Sequence, residues 1–491
     1  MPYVNNKRFF CDPLSISRII LYAILLILSC VILWDTNWVF DMFWADDYQL
    51  VGTTAIGKNA HSYTGNGRFW PLGLCDYCVL LLIPYGTTVT AHFLYNCVTM
   101  IFASVMLFSF LDKVTENKNN YIALFCMLLL FLTSSFMRIH MTCIYSEREM
   151  FLMLSAFLIS YWKACNKKTG GGKYYAIAAI AAMYSTYLKE PVFGMWCIFA
   201  LSNLIFGKLS LKERLFNYFL LFNSFIWVSI YAYRCFFVDL AFIDPNAPAP
   251  YSSIVSKFSD LSITVFNSEP IIYLLLIIAI IRCCLLLKRK TNYYNMYSDA
   301  PLFAGVGYAF AYVILNQRCN HYFFPSVVMG LPAFAVFLSE CTKYVKALLI
   351  SISIGIVIFS FNASLYWITE IQMHRKNDPL IFARMIDEVK QGKKVIYITE
   401  KGKDLSNIDS GEIDQMKFRR WQIFLDYYWG GKFPIIKTAD YSKINKDSVV
   451  ILSDETYGSA NFQEISERLK ISGLALSQSF QDMKTRVFRT K

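Results

Sequence analysis

The sequence predicts a polytopic α-helical membrane protein of about 11 spans. Its N-terminus is expected inside and its C-terminus outside, where a small extracytoplasmic α/β domain follows the last span. Three observations carry this. Only 17% of the 491 residues are charged while 56% are hydrophobic, against about 25% charged in a soluble domain. Apolar runs recur from residue 19 to residue 367, and about 20 such residues cross the hydrocarbon core. Beyond residue 367 the runs stop and short β-branched segments appear in a polar chain. The net charge of +12 then belongs to lysines and arginines collected on one side of a bilayer, and no nucleic-acid partner is implied.

The elements follow in order. Residues 1–18 are polar and carry Lys7, Arg8 and Arg18. The first span, 19–34, has no small-residue cleavage site and reads as an uncleaved anchor. An external loop, 35–87, contains DMFWADDYQLVGTTAIGKNAHSYTGNGRFWP at 41–71. Its apolar stretch 72–83 is too short to cross and is stopped at Pro84, so it is expected at the interface. Further spans are expected at 88–111, 121–136, 150–162, 174–188, 192–206, 215–233, 271–287, 301–315, 326–338 and 347–367. The transmembrane region is thus 1–367 and the outer domain 368–491.

Orientation follows from the loops. Each loop placed inside carries at least two Lys or Arg, and the one after 150–162 has Lys163, Lys167, Lys168 and Lys173 with no acid. The positive-inside rule puts these in the cytoplasm. The loops bearing Asp46/Asp47, Glu147, Lys189, Asp244 and Arg318 then share the opposite face. A transporter is expected instead to hold ionisable groups near mid-span.

In the outer domain, 379–390 has helical apolar spacing, 395–399 and 449–452 are strand candidates, 462–469 reads as a helix and 486–489 as a last strand. This segment contains no Cys, so its core is expected to hold without disulfides. Most of the 14 Cys lie in apolar spans, where Cys is a small hydrophobe. Cys75 and Cys78 have redox spacing but no partner pair. The five His are scattered and form no metal-ligand cluster. No cofactor is expected, with a divalent metal left open. No phosphate-cradling glycine loop of the P-loop or dinucleotide kind is present.

The chemistry centres on Asp46 and Asp47, bracketed by Trp44 and Tyr48. Two carboxylates packed among aromatic rings repel each other and lose hydration, which raises the proton affinity of one and makes it a usable general base. The alternative is a solvated, helix-capping pair.

Three strings carry a family resemblance. Phe43-Trp44-Ala45-Asp46-Asp47-Tyr48 matches a first-loop acidic motif, and His92-Phe93-Leu94-Tyr95-Asn96 matches a following His/Asn helix. Asn320-His321-Tyr322-Phe323-Phe324-Pro325 with Pro332 matches a late loop in which Arg usually stands where His321 is. With the one-sided loops and the outer α/β domain, these resemble the GT-C superfamily of integral-membrane glycosyltransferases. The overall plan is similar to bacterial Gtr-type, serotype-converting O-antigen glucosyltransferases.

The resemblance implies a GT-C-like fold in the bacterial inner membrane with a periplasmic active site. It implies transfer of a sugar, glucose in the Gtr case, from an undecaprenyl or other polyprenyl-phosphate donor to a lipid-linked O-antigen of lipopolysaccharide or another surface glycan. A donor-making glycosyltransferase, a donor flippase and membrane lipids are the implied partners. In that scheme Asp46 or Asp47 is the base in a direct, inverting displacement. Arg68, Lys189, Arg318 and His321 are candidate donor-phosphate ligands. Glu147, Trp44, Tyr48 and Trp70 are candidate sugar or acceptor contacts.

Each has a structural alternative. Arg68 can snorkel or stack on a ring. Lys189 and Glu190 can pair at a helix end. Ser146 to Glu149 can be an N-cap with first-turn acids. His321 can pack at the interface, and His92 can serve helix contact. A lipid-linked oligosaccharide flippase or an O-antigen polymerase is the competing functional class.

Overall fold

The computed structural model describes residues 16–34, 71–73, 75, 79–80, 89–115, 120–142, 145–167, 171–234, 237, 265, 269–289, 293–314, 320–398, 422, 425–426, 429–438, 444–445, 448–453, 467, 476–481 and 485–490. Every expected span coincides with a helix. They are α1 (Ile16–Leu33), α2 (Val89–Val114), α3 (Asn120–Phe131), α4 (Ser134–Met141), α5 (Glu147–Asn166), α6 (Gly172–Thr186), α7 (Val192–Phe206), α8 (Leu211–Tyr233), α9 (Ile271–Arg289), α10 (Asp299–Ile314), α11 (Phe324–Glu340) and α12 (Lys343–Lys390). Among the described residues, six are long and apolar enough to cross a bilayer by themselves, and a seventh crossing arises if α3 and α4 count as one. The chain is a multi-pass membrane protein.

The third span differs from expectation. It breaks after α3, and α4 leaves at 65° to it. Thr133 is the cause: it adopts an extended conformation and its hydroxyl accepts the Phe136 N–H at 3.2 Å, capping a new helix. Short polar side chains at this position stop one helix and start the next.

α11 is the central rod. It is buried along almost its whole length and packs on α10, α9, α3, α5 and α2. Close approach needs a missing side chain: a Cβ at Gly305 of α10 would sit 2.9 Å from the Ser326 carbonyl of α11. In lipid, where apolar surface alone does not drive association, such small-residue contacts hold helices together.

α12 runs 48 residues without a break, so the last span and the helix expected at 379–390 are one rod. It ends at Gly392, whose φ of 82° is the left-handed conformation that glycine adopts freely. Beyond it lies a five-stranded sheet, β1 (Lys394–Ile398), β2 (Ile435–Thr438), β3 (Ser448–Ser453), β4 (Leu476–Gln481) and β5 (Thr485–Thr490), in the order β2-β1-β3-β5-β4. β2, β1 and β3 are parallel, and β5 and β4 add antiparallel. Phe382, Met385 and Ile386 of α12 pack on Val395, Tyr397, Val449 and Ile451. The strands expected at 395–399, 449–452 and 486–489 are β1, β3 and β5. β2 and β4 were not anticipated: β4 reads LSQSFQ, too polar for a pattern. Of the helix expected at 462–469 only Glu467 falls within the described residues, and it is helical.

Candidate active site

The site is built where α4, α5, the α6–α7 turn and the 3₁₀ turn Asn320–Phe323 meet. α5 opens with Glu147, Arg148 and Glu149, all buried. Three charges in one buried turn each need a partner, and each finds one on another element. Glu147 Oε1 lies 3.2 Å from Lys189 Nζ. Arg148 Nη1 donates to Asn96 Oδ1 of α2 at 2.5 Å. Glu149 accepts from the Tyr95 hydroxyl at 2.5 Å and the Tyr184 hydroxyl at 3.4 Å. Ser146 is the N-cap residue and Glu147 and Glu149 lie in the first turn, as that reading expects, but the Ser146 side chain makes no capping bond. Lys189 reaches across to α5, which a local helix-end pair with Glu190 does not require.

Asn96 is a bracket. Its amide donates to the carbonyls of Thr142 at 2.9 Å and His140 at 3.3 Å while its carbonyl holds Arg148. The end of α4 and the start of α5 are thereby fastened to α2. His92, one turn earlier on α2, is buried.

Around the Glu147–Lys189 pair lies an aromatic and cationic shell. Lys189 Nζ stands 5.0 Å from the centre of the Tyr322 ring, and Tyr322 stacks on Tyr312 at 4.5 Å. His321 sits between the Tyr145 ring at 4.0 Å and the Tyr322 ring at 4.1 Å. Its Nδ1 has no hydrogen-bond partner among the described residues. Arg138 of α4 donates from Nε to the Tyr145 hydroxyl at 2.9 Å and from Nη1 to Asn320 Oδ1 at 2.8 Å. Two cations and one carboxylate thus converge from three separate segments, in surroundings where a low dielectric strengthens every charge interaction.

Of the residues singled out in the sequence, Glu147, Lys189 and His321 are brought together. Asp46, Asp47, Trp44, Tyr48, Arg68, Trp70 and Arg318 lie outside the described residues. Leu72, which follows the 41–71 stretch, is fixed beside the site: its N–H donates to the Tyr187 carbonyl at 3.1 Å, two residues before Lys189. Arg138, Tyr145 and Asn320 were not assigned roles from sequence. The usable signal for Arg138 is Thr133-Ser134-Ser135, a helix-start string that places Arg138 on the first turns of a new helix instead of in a loop.

Over 96% of this chain and 97% of the other, the backbone matches the crystal structure of ArnT from Cupriavidus metallidurans bound to undecaprenyl phosphate, with a TM-score of 0.53 and 11% sequence identity. The chain is similar to ArnT in fold. The apo-state ArnT structure from the same organism matches over the same shares, with a TM-score of 0.50 and 10% identity. No protein-family model matches the sequence, and no curated protein matches it. The likeness is one of architecture: a polytopic helical region followed by a C-terminal α/β domain, expected from the sequence, is the fold found.

Proposed function

We propose that this protein is an integral-membrane glycosyltransferase that moves a sugar from a polyprenyl-phosphate donor to a cell-surface glycan. We take the sugar to be glucose and the acceptor a lipid-linked O-antigen, at the periplasmic face of a bacterial inner membrane. Fold alone does not assign chemistry. The observation that carries the reading is the meeting of Lys189, Glu147 and Arg138, with Leu72 bonded to the backbone two residues before Lys189, in a chain folded like a protein crystallised with undecaprenyl phosphate.

The acceptor hydroxyl oxygen attacks the anomeric carbon, and its proton passes to Asp46 or Asp47. The bond from that carbon to the phosphate oxygen breaks, and its electron pair leaves with the polyprenyl phosphate. Direct displacement inverts the anomeric centre. Lys189 and Arg138 stabilise charge as it develops on the leaving phosphate, with His321, Arg68 and Arg318 as further phosphate contacts. Glu147 holds Lys189 in place and, with Trp44, Tyr48 and Trp70, contacts sugar or acceptor. A lipid-borne donor arrives in the membrane plane, so no nucleotide-binding domain is needed.

The test is transfer from polyprenyl-phosphate glucose to a lipid-linked O-antigen acceptor by purified protein. Asp46→Asn or Asp47→Asn is expected to remove turnover while donor binding persists, and chelation with EDTA is expected to leave it intact. Normal transfer by both variants sinks the base assignment. Absence of transfer by the wild type from any polyprenyl-phosphate sugar, with movement of lipid-linked oligosaccharide across vesicles, favours a flippase.

A further inference from the structure

Glu269 lies just before α9 and is fully buried. It faces Leu129, Ile271, Ile356 and Val357, with only hydroxyl groups, Thr133 and Ser360, among the polar side chains of the cleft it lines. No titratable group of α3, α9 or α12 lines that cleft. On α4 the charged or titratable groups are Arg138 and His140. His140 packs on Phe136 and Phe151, and Arg138 reaches Glu269 only through intermediaries.

Those intermediaries form a directed chain. Arg138 Nη1 donates to Asn320 Oδ1 at 2.8 Å, Asn320 Nδ2 donates to Ser134 Oγ at 2.7 Å, and Ser134 Oγ donates to Glu269 Oε1 at 2.9 Å. The Ser135 backbone N–H also donates to Oε1. Every donor points toward Glu269. A guanidinium has no acceptor and an amide nitrogen only donates, so the links from Arg138 through Asn320 to Ser134 cannot reverse. The second oxygen, Oε2, has no hydrogen-bond partner among the described residues. A buried carboxyl with one oxygen ending such a chain and the other unmatched is expensive to keep, and an apolar side chain would fill the space at less cost.

We propose that Glu269 is a positioning residue. Through Ser134 and Asn320 it sets the orientation of Arg138 and of the turn carrying His321, and its charge tightens that arrangement. The inference rests on the glycosyltransferase reading for what Arg138 does, but the chain itself is independent of it. A carboxylate strengthens each bond of a chain that ends on it. Burial pushes Glu269 up to about 7.

The experiment uses the full chain in detergent or nanodiscs, comparing wild type, Glu269→Gln, Glu269→Asp, Asn320→Ala and the double variant Glu269→Gln/Asn320→Ala. The kcat/KM of the wild type is expected to rise about tenfold from about pH 6 to about pH 8. Glu269→Gln should be flat at the lower level, and Glu269→Asp should restore a rise. Glu269→Gln should add nothing once Asn320 is Ala. A wild-type rise retained in Glu269→Gln, or losses that simply multiply in the double variant, overturns the proposal. If the wild type transfers no sugar, the functional reading fails, and the chain is tested by melting temperature instead. Coupling between Glu269→Gln and Asn320→Ala at about pH 8 that vanishes at about pH 5.5 supports it, and absence of coupling at both overturns it.

Discussion

Glu147 Oε1 and Lys189 Nζ stand 3.2 Å apart with both side chains buried, joining the first turn of α5 to the turn between α6 and α7. Neither carboxylate oxygen has a well-aligned hydrogen bond among the described residues. A buried pair of this kind gives little net stability, because desolvation offsets the attraction, yet breaking it strands a charge. Lys189→Met is therefore expected to destabilise the protein by about 3–5 kcal/mol. Glu147→Gln in the same chain should return most of that. Chemical denaturation in detergent measures both, and equal stability of the single and double variants would contradict the pairing.

Glu269 gives a pH dependence of stability whose sign is fixed. Its ordinary value is 4.5, and burial raises it to about 7 in the folded protein. Below 4.5 it is protonated in both states and its contribution is fully present. As pH rises through about 7 the folded protein must hold a buried carboxylate, and about 3 kcal/mol is lost. Melting temperature should fall across this window in the wild type and stay level in Glu269→Gln. The direction is opposite to that expected for activity, as befits a group retained at a cost in stability.

Asn96 closes three contacts at once. Asn96→Ala leaves Arg148 and the carbonyls of His140 and Thr142 short of a partner. A loss of about 2–3 kcal/mol is expected, read as a lower melting temperature.

Gly305→Val tests helix packing away from the site. The added side chain meets the Ser326 carbonyl and Met329, which forces α10 from α11 at a cost of about 1–3 kcal/mol. Gly355 on α12, where an added Cβ meets nothing within 4 Å, is the control, and Gly355→Ala should leave the melting temperature unchanged or raise it.

The first-loop carboxylates carry the chemical prediction. Removal of a general base costs roughly 10²–10⁴-fold in turnover, so whichever of Asp46→Asn and Asp47→Asn falls by that factor identifies the base. The other should change KM more than kcat if it orients the acceptor.

The position of every helix except α4 was legible in the sequence because hydrophobic length is a local property. A segment too apolar for water and too polar at its ends for lipid has one place to go. The three strands with β-branched runs were legible for the same reason, whereas β4, with its serines and glutamines, acquires its place from pairing to β5. Glu147, Lys189 and His321 were legible as a set of polar residues assigned to one face. Their mutual contact was not, since it depends on how α5, the α6–α7 turn and the Asn320 turn pack. Arg138 was hidden by the break at Thr133, which a hydropathy run passes over because one hydroxyl ends a helix without lowering apolar content. Glu269 was hidden further still. Nothing near it in sequence marks it, and its partners Ser134 and Ser135, with Asn320 behind Ser134, lie far along the chain on other elements. The sequence by itself determined the solvent each segment prefers. Only the tertiary structure decided which buried charges face one another, because partners for a charge in a low dielectric are chosen across helices by packing.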